Sequence, residues 1–451
     1  MASTTRRLLL AFAAAGLLTV TACSSSSDTE AGKDNPNLDT AACSAYAAYK
    51  GQGLDGKTVS VSTSIRDTEA DLLKQSWKAF TDCTGIKIDY AGTSDFEAQL
   101  PIKVQGGNAP DIAFIPQPGL LATFAKQGAL KPASAATKAE AEKNYSPDWL
   151  KYSTVDGKLY GAPLGSNVKS FVWYSPSMFK EKGWAIPTTW DELITLSNTI
   201  AATGMKPWCA GIESGGATGW PATDWIEDIV LRDQGPEVYD QWVAHTIPFN
   251  DPKIVSATDR AGSILKNPAY VNGGLGDVKS IATTSFQEGG IPITQKKCAL
   301  HRQASFYANQ WPKGTKVAED GDVFAFYFPA IDPAKGKPVL GGGEFVAAFA
   351  DRNEVKAFQT YLASADHANS RAKLGNWVSA NKGLDIANVS NPIDKKSVEI
   401  LQDSASVFRF DGSDLMPAAV GAGSFWKGMT DWITGKSTKD TLDYIESSWP
   451  K

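Results

Sequence analysis

The chain has 451 residues with a formal net charge of −5, and 42% of them are hydrophobic and 21% charged. This is the balance of a globular protein large enough for two folded units, and no Lys/Arg stripe with interleaved aromatics offers a field for phosphates, which excludes nucleic acid as a partner. Fourteen tryptophans exceed what core filling usually requires, so many are expected to line a site.

In chain order, Arg6 and Arg7 precede an apolar run over 8–20 that is too short to cross a bilayer, and Val20-Thr21-Ala22-Cys23 leads into Ser24-Ser25-Ser26-Ser27. A basic start, a short apolar core and a small-residue cleavage site are the parts of an export signal. The small residues end in cysteine, so the segment resembles a bacterial lipobox. It predicts a signal peptide over 1–22, acylation of Cys23 and a body held on the outer face of the cytoplasmic membrane by a flexible tether over 23–40. Twin-Arg export is the alternative to the general route. With Cys23 assigned to lipid, Cys43, Cys83, Cys209 and Cys298 form an even set in an oxidising compartment. Three pairings are possible; Cys43 with Cys83 and Cys209 with Cys298 is preferred, because each bond then staples one local region. The spacing matches no zinc pattern and only three histidines are present, so no metal and no cofactor are expected.

The body begins with alternation over 58–63 that predicts a strand, a helix over 70–81, a strand over 86–90, a helix over 96–105, a buried strand over 111–115 and a helix over 119–127. Strands alternating with helices imply a parallel sheet and an α/β class. Further on come a strand over 170–174, a helix capped by Thr189 with Glu192 as capping-box acid, helical and turn segments to about 309, an apolar strand over 323–328, an amphipathic helix over 354–365 and a terminal helix over 438–447. No solenoid repeat is visible.

Several blocks then match one family. Gly107-Asn108-Ala109-Pro110-Asp111-Ile112 with Leu121 to Leu130, Leu159-Tyr160-Gly161-Ala162-Pro163, Val172-Trp173-Tyr174-Ser175 with Met178-Phe179, and Pro187-Thr188-Thr189-Trp190-Asp191-Glu192-Leu193 resemble the family 1 extracellular solute-binding proteins of ABC importers. Met416-Pro417 followed by Gly423-Ser424-Phe425-Trp426 resembles the end of the maltose-binding members. Gly219-Trp220-Pro221-Ala222-Thr223-Asp224-Trp225 and Leu300-His301-Arg302-Gln303-Ala304-Ser305-Phe306 are most similar to the α-glucoside-binding branch. The resemblance implies a two-lobed α/β binding-protein fold with discontinuous lobes (41–165 with 328–377, and 166–327 with 378–451), hinges near Pro163 and Phe326, and a ligand cleft between the lobes.

Sugar recognition needs polar groups for hydroxyls and aromatic faces for the C–H surface of the ring. Trp426 is the first candidate for a stacking face, since the resemblance aligns it with a sugar-stacking tryptophan, and Trp220 is the second. Asp224 is a candidate acceptor for two adjacent hydroxyls. Ser64 and Arg66 after the first strand and Gln117 after the third lie where open α/β sheets bind ligands. His301 and Gln303 fall in a resembling block, Gly342 and Gly343 permit close backbone approach, and Asp414 is preferred over Asp411 as a hydroxyl ligand. Asp111 is read as structural. There is no G-x-S-x-G elbow or H-E-x-x-H helix, and Thr434-Gly435-Lys436-Ser437-Thr438 is half a P-loop without its upstream glycine, so no catalytic residue is assigned. The reading is a monomeric, lipid-anchored, non-enzymatic component that captures α-glucosides such as maltose, trehalose, sucrose or short maltooligosaccharides and hands them to an ABC permease. A glycoside-processing enzyme with paired carboxylates and a binder of another oligosaccharide are the alternatives.

Overall fold

The computed structural model describes residues 32–403 and 405–450; the expected signal peptide, Cys23 and the first part of the expected tether lie outside them. Folded structure begins before Ala41: Pro36–Asp39 form a 3-10 turn capped by the Asn35 side chain, and Leu38 is buried. Proline in the first turn and Asn at the cap make this a local stop for the polar tether. The next segment is fastened by the Cys43–Cys83 disulfide, and the second bond joins Cys209 to Cys298. This is the local pairing.

Strands are β1 (Thr58–Thr63), β2 (Lys87–Gly92), β3 (Ile112–Ile115), β4 (Thr154–Val155), β5 (Lys158–Leu159), β6 (Asn167–Val168), β7 (Phe171–Tyr174), β8 (Lys206–Trp208), β9 (Cys298–Arg302), β10 (Phe324–Tyr327), β11 (Lys337–Gly342), β12 (Phe345–Ala348) and β13 (Ser406–Phe410). The first lobe is built on a sheet of order β12-β3-β1-β2, in which β1 runs parallel to β2 and β3 while β12 adds antiparallel to β3. The second sheet has the order β10-β7-β9-β8, with antiparallel pairs on both sides of β7 and β8 parallel to β9. A parallel sheet therefore describes the first lobe except for β12, while the second is mixed. Both sheets carry helices on their faces and bury their own apolar clusters, one around Phe80, Phe114 and Phe358, the other around Trp173, Trp208 and Trp242.

A third sheet, β13-β11-β6, lies where the chain crosses between lobes. There Leu164 N donates to Glu344 O at 2.7 Å and Ser166 N to Val378 O at 2.8 Å, so three chain segments cross side by side. The approach leaves no room for side chains: a Cβ on Gly343 would lie 2.2 Å from Gly165 O, and one on Gly165 would lie 2.5 Å from Trp377 Nε1. The expected hinge near Pro163 adjoins this crossing. Phe326 does not; it sits inside β10, paired with Val172, because the apolar run over 323–328 fills the second sheet. The return crossing is made later, at Gly342-Gly343-Glu344. Residues just after 327 also stay with the second lobe, where Arg232 donates to the carbonyls of Phe328 and Pro329.

Candidate ligand cleft between the lobes

A cleft of about 970 Å³, its mouth included, opens between the lobes. Lobe one contributes the loops at the carboxyl ends of its strands, with Ser64, Arg66 and Asp67 after β1, Ser94 and Glu97 after β2, and Pro116 and Gln117 after β3. These positions follow from a parallel sheet, whose strand ends and helix starts converge on one edge. Asp67 opens its helix with φ of 55°, a left-handed conformation uncommon outside glycine. Glu69 on the same helix completes this wall.

Lobe two supplies an aromatic wall. Trp220 opens helix Trp220–Asp233, and its ring packs edge-on against Phe286 at 5.2 Å and lies 6.0 Å from Phe306. Trp426 follows the π-helical turn Val420–Phe425 and opens helix Trp426–Ile433. Gly219, with φ of 116°, lets the two segments meet: a Cβ there would lie 2.1 Å from Trp426 O.

Behind this wall lies a buried charge network. Lys169 Nζ donates to Asp224 at 2.9 Å and Asp411 at 2.5 Å, and sits 5.2 Å from the centre of the Trp220 ring. Arg302 Nη2 donates to Asp228 at 2.7 Å, which also pairs with Arg232. Glu227 accepts from the backbone of Gly412 at 2.7 Å and Ser413 at 3.0 Å, and Asp411 Oδ1 accepts from Asp414 N at 2.9 Å. Burial opposes the Lys169 charge, yet Asp224 and Asp411 hold its pKa well above the usual lysine value. Burial and the Asp411 charge push Asp414 and Glu227 well up. Asp224, Glu227 and Asp411 stand close enough to suggest a metal site, but Lys169 already supplies the cation among them.

Several cleft residues carry unpartnered polar atoms: Glu97 Oε2, Gln117 Oε1, Asn167 Oδ1 and Trp426 Nε1 are buried without a hydrogen-bond partner. Gln117 Nε2 donates to Glu97 Oε1 at 3.2 Å, and burial raises the Glu97 carboxyl. Such atoms are costly unless a ligand meets them.

Of the residues singled out in the sequence, Ser64, Arg66, Gln117, Trp220, Gly342, Gly343, Asp414 and Trp426 come together on this cleft. Asp224 lies behind it, 1% exposed, with a carboxylate oxygen committed to Lys169. His301 and Gln303 belong to the β9 segment at the centre of the second sheet and are 1% exposed. His301 faces Cys209 O at 2.9 Å and packs on Tyr307, while Gln303 Oε1 accepts from Ala304 N at 2.8 Å. Burial drives the imidazole down to about 4. Of the tryptophans, Trp220 and Trp426 line the cleft and Trp377 an adjoining pocket; Trp173, Trp208, Trp242 and Trp432 are core, so the expectation that many line the site is not met. The sequence reading missed Phe286, Glu69, Glu97 and Lys169. A lysine one residue removed from the buried strand β7 is the available signal for the last.

Residues 66–369 match the model of the bacterial extracellular solute-binding proteins. The chain belongs to this family. Among curated solute-binding relatives, it is 40% identical over 409 residues to the osmoprotective compounds-binding protein GgtB of Synechocystis, covering 89% of this chain and 96% of that one. It is 39% identical over 411 residues to the α-glucosides-binding periplasmic protein AglE of Rhizobium meliloti, covering 89% and 88%. The solute-binding fold is shared with a chitin oligosaccharide binding protein (TM-score 0.74, 20% identity, 86% of this chain and 97% of that one) and with maltose-bound MalE3 of T. maritima (0.66, 16%, 87% and 98%). Two lobes and an interlobe cleft are thus properties of the family as well as of this chain.

Proposed function

We propose that this protein is the sugar-capturing component of an ABC importer, monomeric, acylated at Cys23 on the outer face of the membrane, and that it binds α-glucosides such as maltose, trehalose, sucrose or short maltooligosaccharides. The observation that carries the reading is the pairing of walls: carboxylates and amides with unmet hydrogen bonds on lobe one face Trp220, Phe286, Phe306 and Trp426 on lobe two. A pyranose has that same division, hydroxyls at its edge and C–H groups on its faces. The name of the AglE relative supports an α-glucoside. In this reading Trp426 and Trp220 stack on sugar, Ser64, Arg66, Gln117 and Asp414 meet hydroxyls, Gly342 and Gly343 offer backbone, and Asp224 acts through Lys169. The lobes are divided at the Gly165, Gly343 and Val378 crossing. Ligand favours closure because only the closed cleft touches it from both sides. No bond is broken. Asp224 and Asp411, each 1% exposed, are joined through Lys169.

Trp426→Ala is expected to weaken sugar binding by more than about tenfold, or 1.4 kcal/mol, with the melt still cooperative. Unchanged affinity in calorimetry removes the assignment. GgtB supports a second reading, an osmoprotective solute. A thermal-shift panel of α-glucosides, β-glucosides, galactosides, polyol glucosides and betaines separates the two.

A further inference from the structure

At the hinge end the cleft adjoins a smaller pocket of about 360 Å³, lined among others by Glu69, Ser166, Asn167, Ser305, Glu344 and Asp394. Its three carboxylates come from three separate segments: helix Asp67–Ser76, the crossing between β11 and β12, and helix Pro392–Gln402. Among the described residues none of the three pairs with a lysine or arginine within 4.0 Å. The guanidinium behind them, Arg371, is fully buried, lies 5.7 Å from the Trp377 ring centre and donates to Gly375 O at 2.8 Å, while its Nε and Nη2 have no partner among the described residues and its charge is felt by Glu69 and Asp394 without a direct ion pair. Lys169, the other nearby cation, is held by Asp224 and Asp411.

Two polar atoms on this pocket point to a ligand independently of the acids. Ser166 is 7% exposed and its Oγ has no partner; the adjacent Asn167 Oδ1 is likewise buried and unpartnered. Asp394 Oδ2 accepts from Trp377 N at 3.0 Å, and the backbone of Trp377 and Asn376 favours the ionised carboxylate. The pocket is therefore rich in acceptors, and its three carboxylates outnumber the one buried guanidinium, Arg371, whose charge favours ionised Glu69 and Asp394. A neutral hydroxyl gives an acceptor its proton but leaves the charge, which is expensive in a closed cleft. Burial accordingly pushes both Glu69 and Asp394 up to about 7. An ammonium group carries donors only, and a positive charge, and meets both demands.

We propose that this pocket is a subsite for a positively charged nitrogen, so that the protein takes glycosides bearing a protonated amine more tightly than their neutral parents. The proposal rests on the glycoside-binding reading above. Its test is calorimetry with maltose and trehalose and with the positional amino-deoxy derivatives of each, at a pH where the amine is charged. At least one derivative is expected to bind about tenfold more tightly than its parent, and that ratio is expected to fall to near one in Glu344→Gln and in Asp394→Asn, with thermal melts reporting that each variant is folded. Derivatives that bind no better than the parents, or a ratio unchanged in both variants, overturn the subsite and leave the glycoside reading standing. Absence of binding by parents and derivatives alike overturns the glycoside reading itself. Heat from calcium or magnesium chloride alone that disappears in Glu344→Gln overturns the subsite too, by assigning the carboxylates to a metal.

Discussion

Lys169 joins the cleft to the buried charges behind it. It is the cation for Asp224 and Asp411, it stands over the Trp220 ring, and it lines the cleft. Replacing it with methionine keeps the stem but strands two carboxylates in the interior, at a cost of about 3–5 kcal/mol. Lys169→Met is therefore expected to lower the denaturation midpoint sharply, and adding Asp224→Asn to recover part of the loss, a coupling that a double-mutant cycle in urea reads directly. The same network explains which site residues were legible in the sequence. Ser64, Arg66 and Gln117 follow from strand ends alone, and Asp111, read as structural, accepts from Ser60 N at 2.9 Å and from Arg352 at 2.9 Å through each oxygen. Asp224 and His301 sat in promising blocks, but whether a side chain faces a cleft or a core depends on packing against segments distant in sequence. Glu69 and Glu97 carry no motif at all; only the fold brings their helices to one edge.

Elements read most clearly where the signal is local. Thr58–Thr63, Phe96–Gln105 and Thr438–Ser447 have the expected bounds, and Thr189 and Glu192 form the expected capping box. The single helix expected over 70–81 is two, Asp67–Ser76 and Lys78–Thr84, parted at Trp77, whose ring turns into the core against Phe358. Strands β6, β8, β9, β11, β12 and β13 are not expected from the sequence, and β8 and β9 fall in the stretch expected to be helix and turn: pairing with remote chain, not alternation, makes them strands. Beside the cleft, a helix start and a turn meet across the lobes. Asp95, before helix Phe96–Gln105, accepts from Gly216 N of the turn Gly215–Ala217 at 3.2 Å, and a Cβ on Gly216 would lie 3.2 Å from Ala98 Cβ. A longer side chain there wedges the lobes apart without lining the cleft. Gly216→Leu is expected to weaken ligand binding about tenfold, equivalent to 1.4 kcal/mol, mainly through faster release in stopped-flow. An unchanged dissociation rate refutes the contact as part of closure.

For the whole molecule, both disulfides stay inside a lobe, Cys43–Cys83 beside the first sheet and Cys209–Cys298 joining β9 to the chain after β8, so neither restrains closure. What the lobes share is a set of buried titrating groups that pull stability in opposite directions with pH. Burial lowers His301 to about 4 and His367 to about 3. Their contribution is present above the unfolded value of about 6.5 and is lost as pH falls through the folded values. Burial raises Glu69 and Asp394 to about 7, and raises Glu97 and Glu344 as well. The contribution of Glu69 and Asp394 is present below the unfolded value of about 4 and is lost as pH rises through about 7, and Glu97 and Glu344 pull in the same direction. The raised carboxyls outnumber the depressed imidazoles, and Glu227 and Asp414 add to them. Calorimetric melting without ligand is therefore expected to give a higher Tm near pH 5.5 than near pH 8, with Glu344→Gln and Asp394→Asn flattening the difference. A Tm that rises steadily from pH 5.5 to 8 would show that the histidines dominate, and that the hinge carboxylates are solvated as the free lobes open.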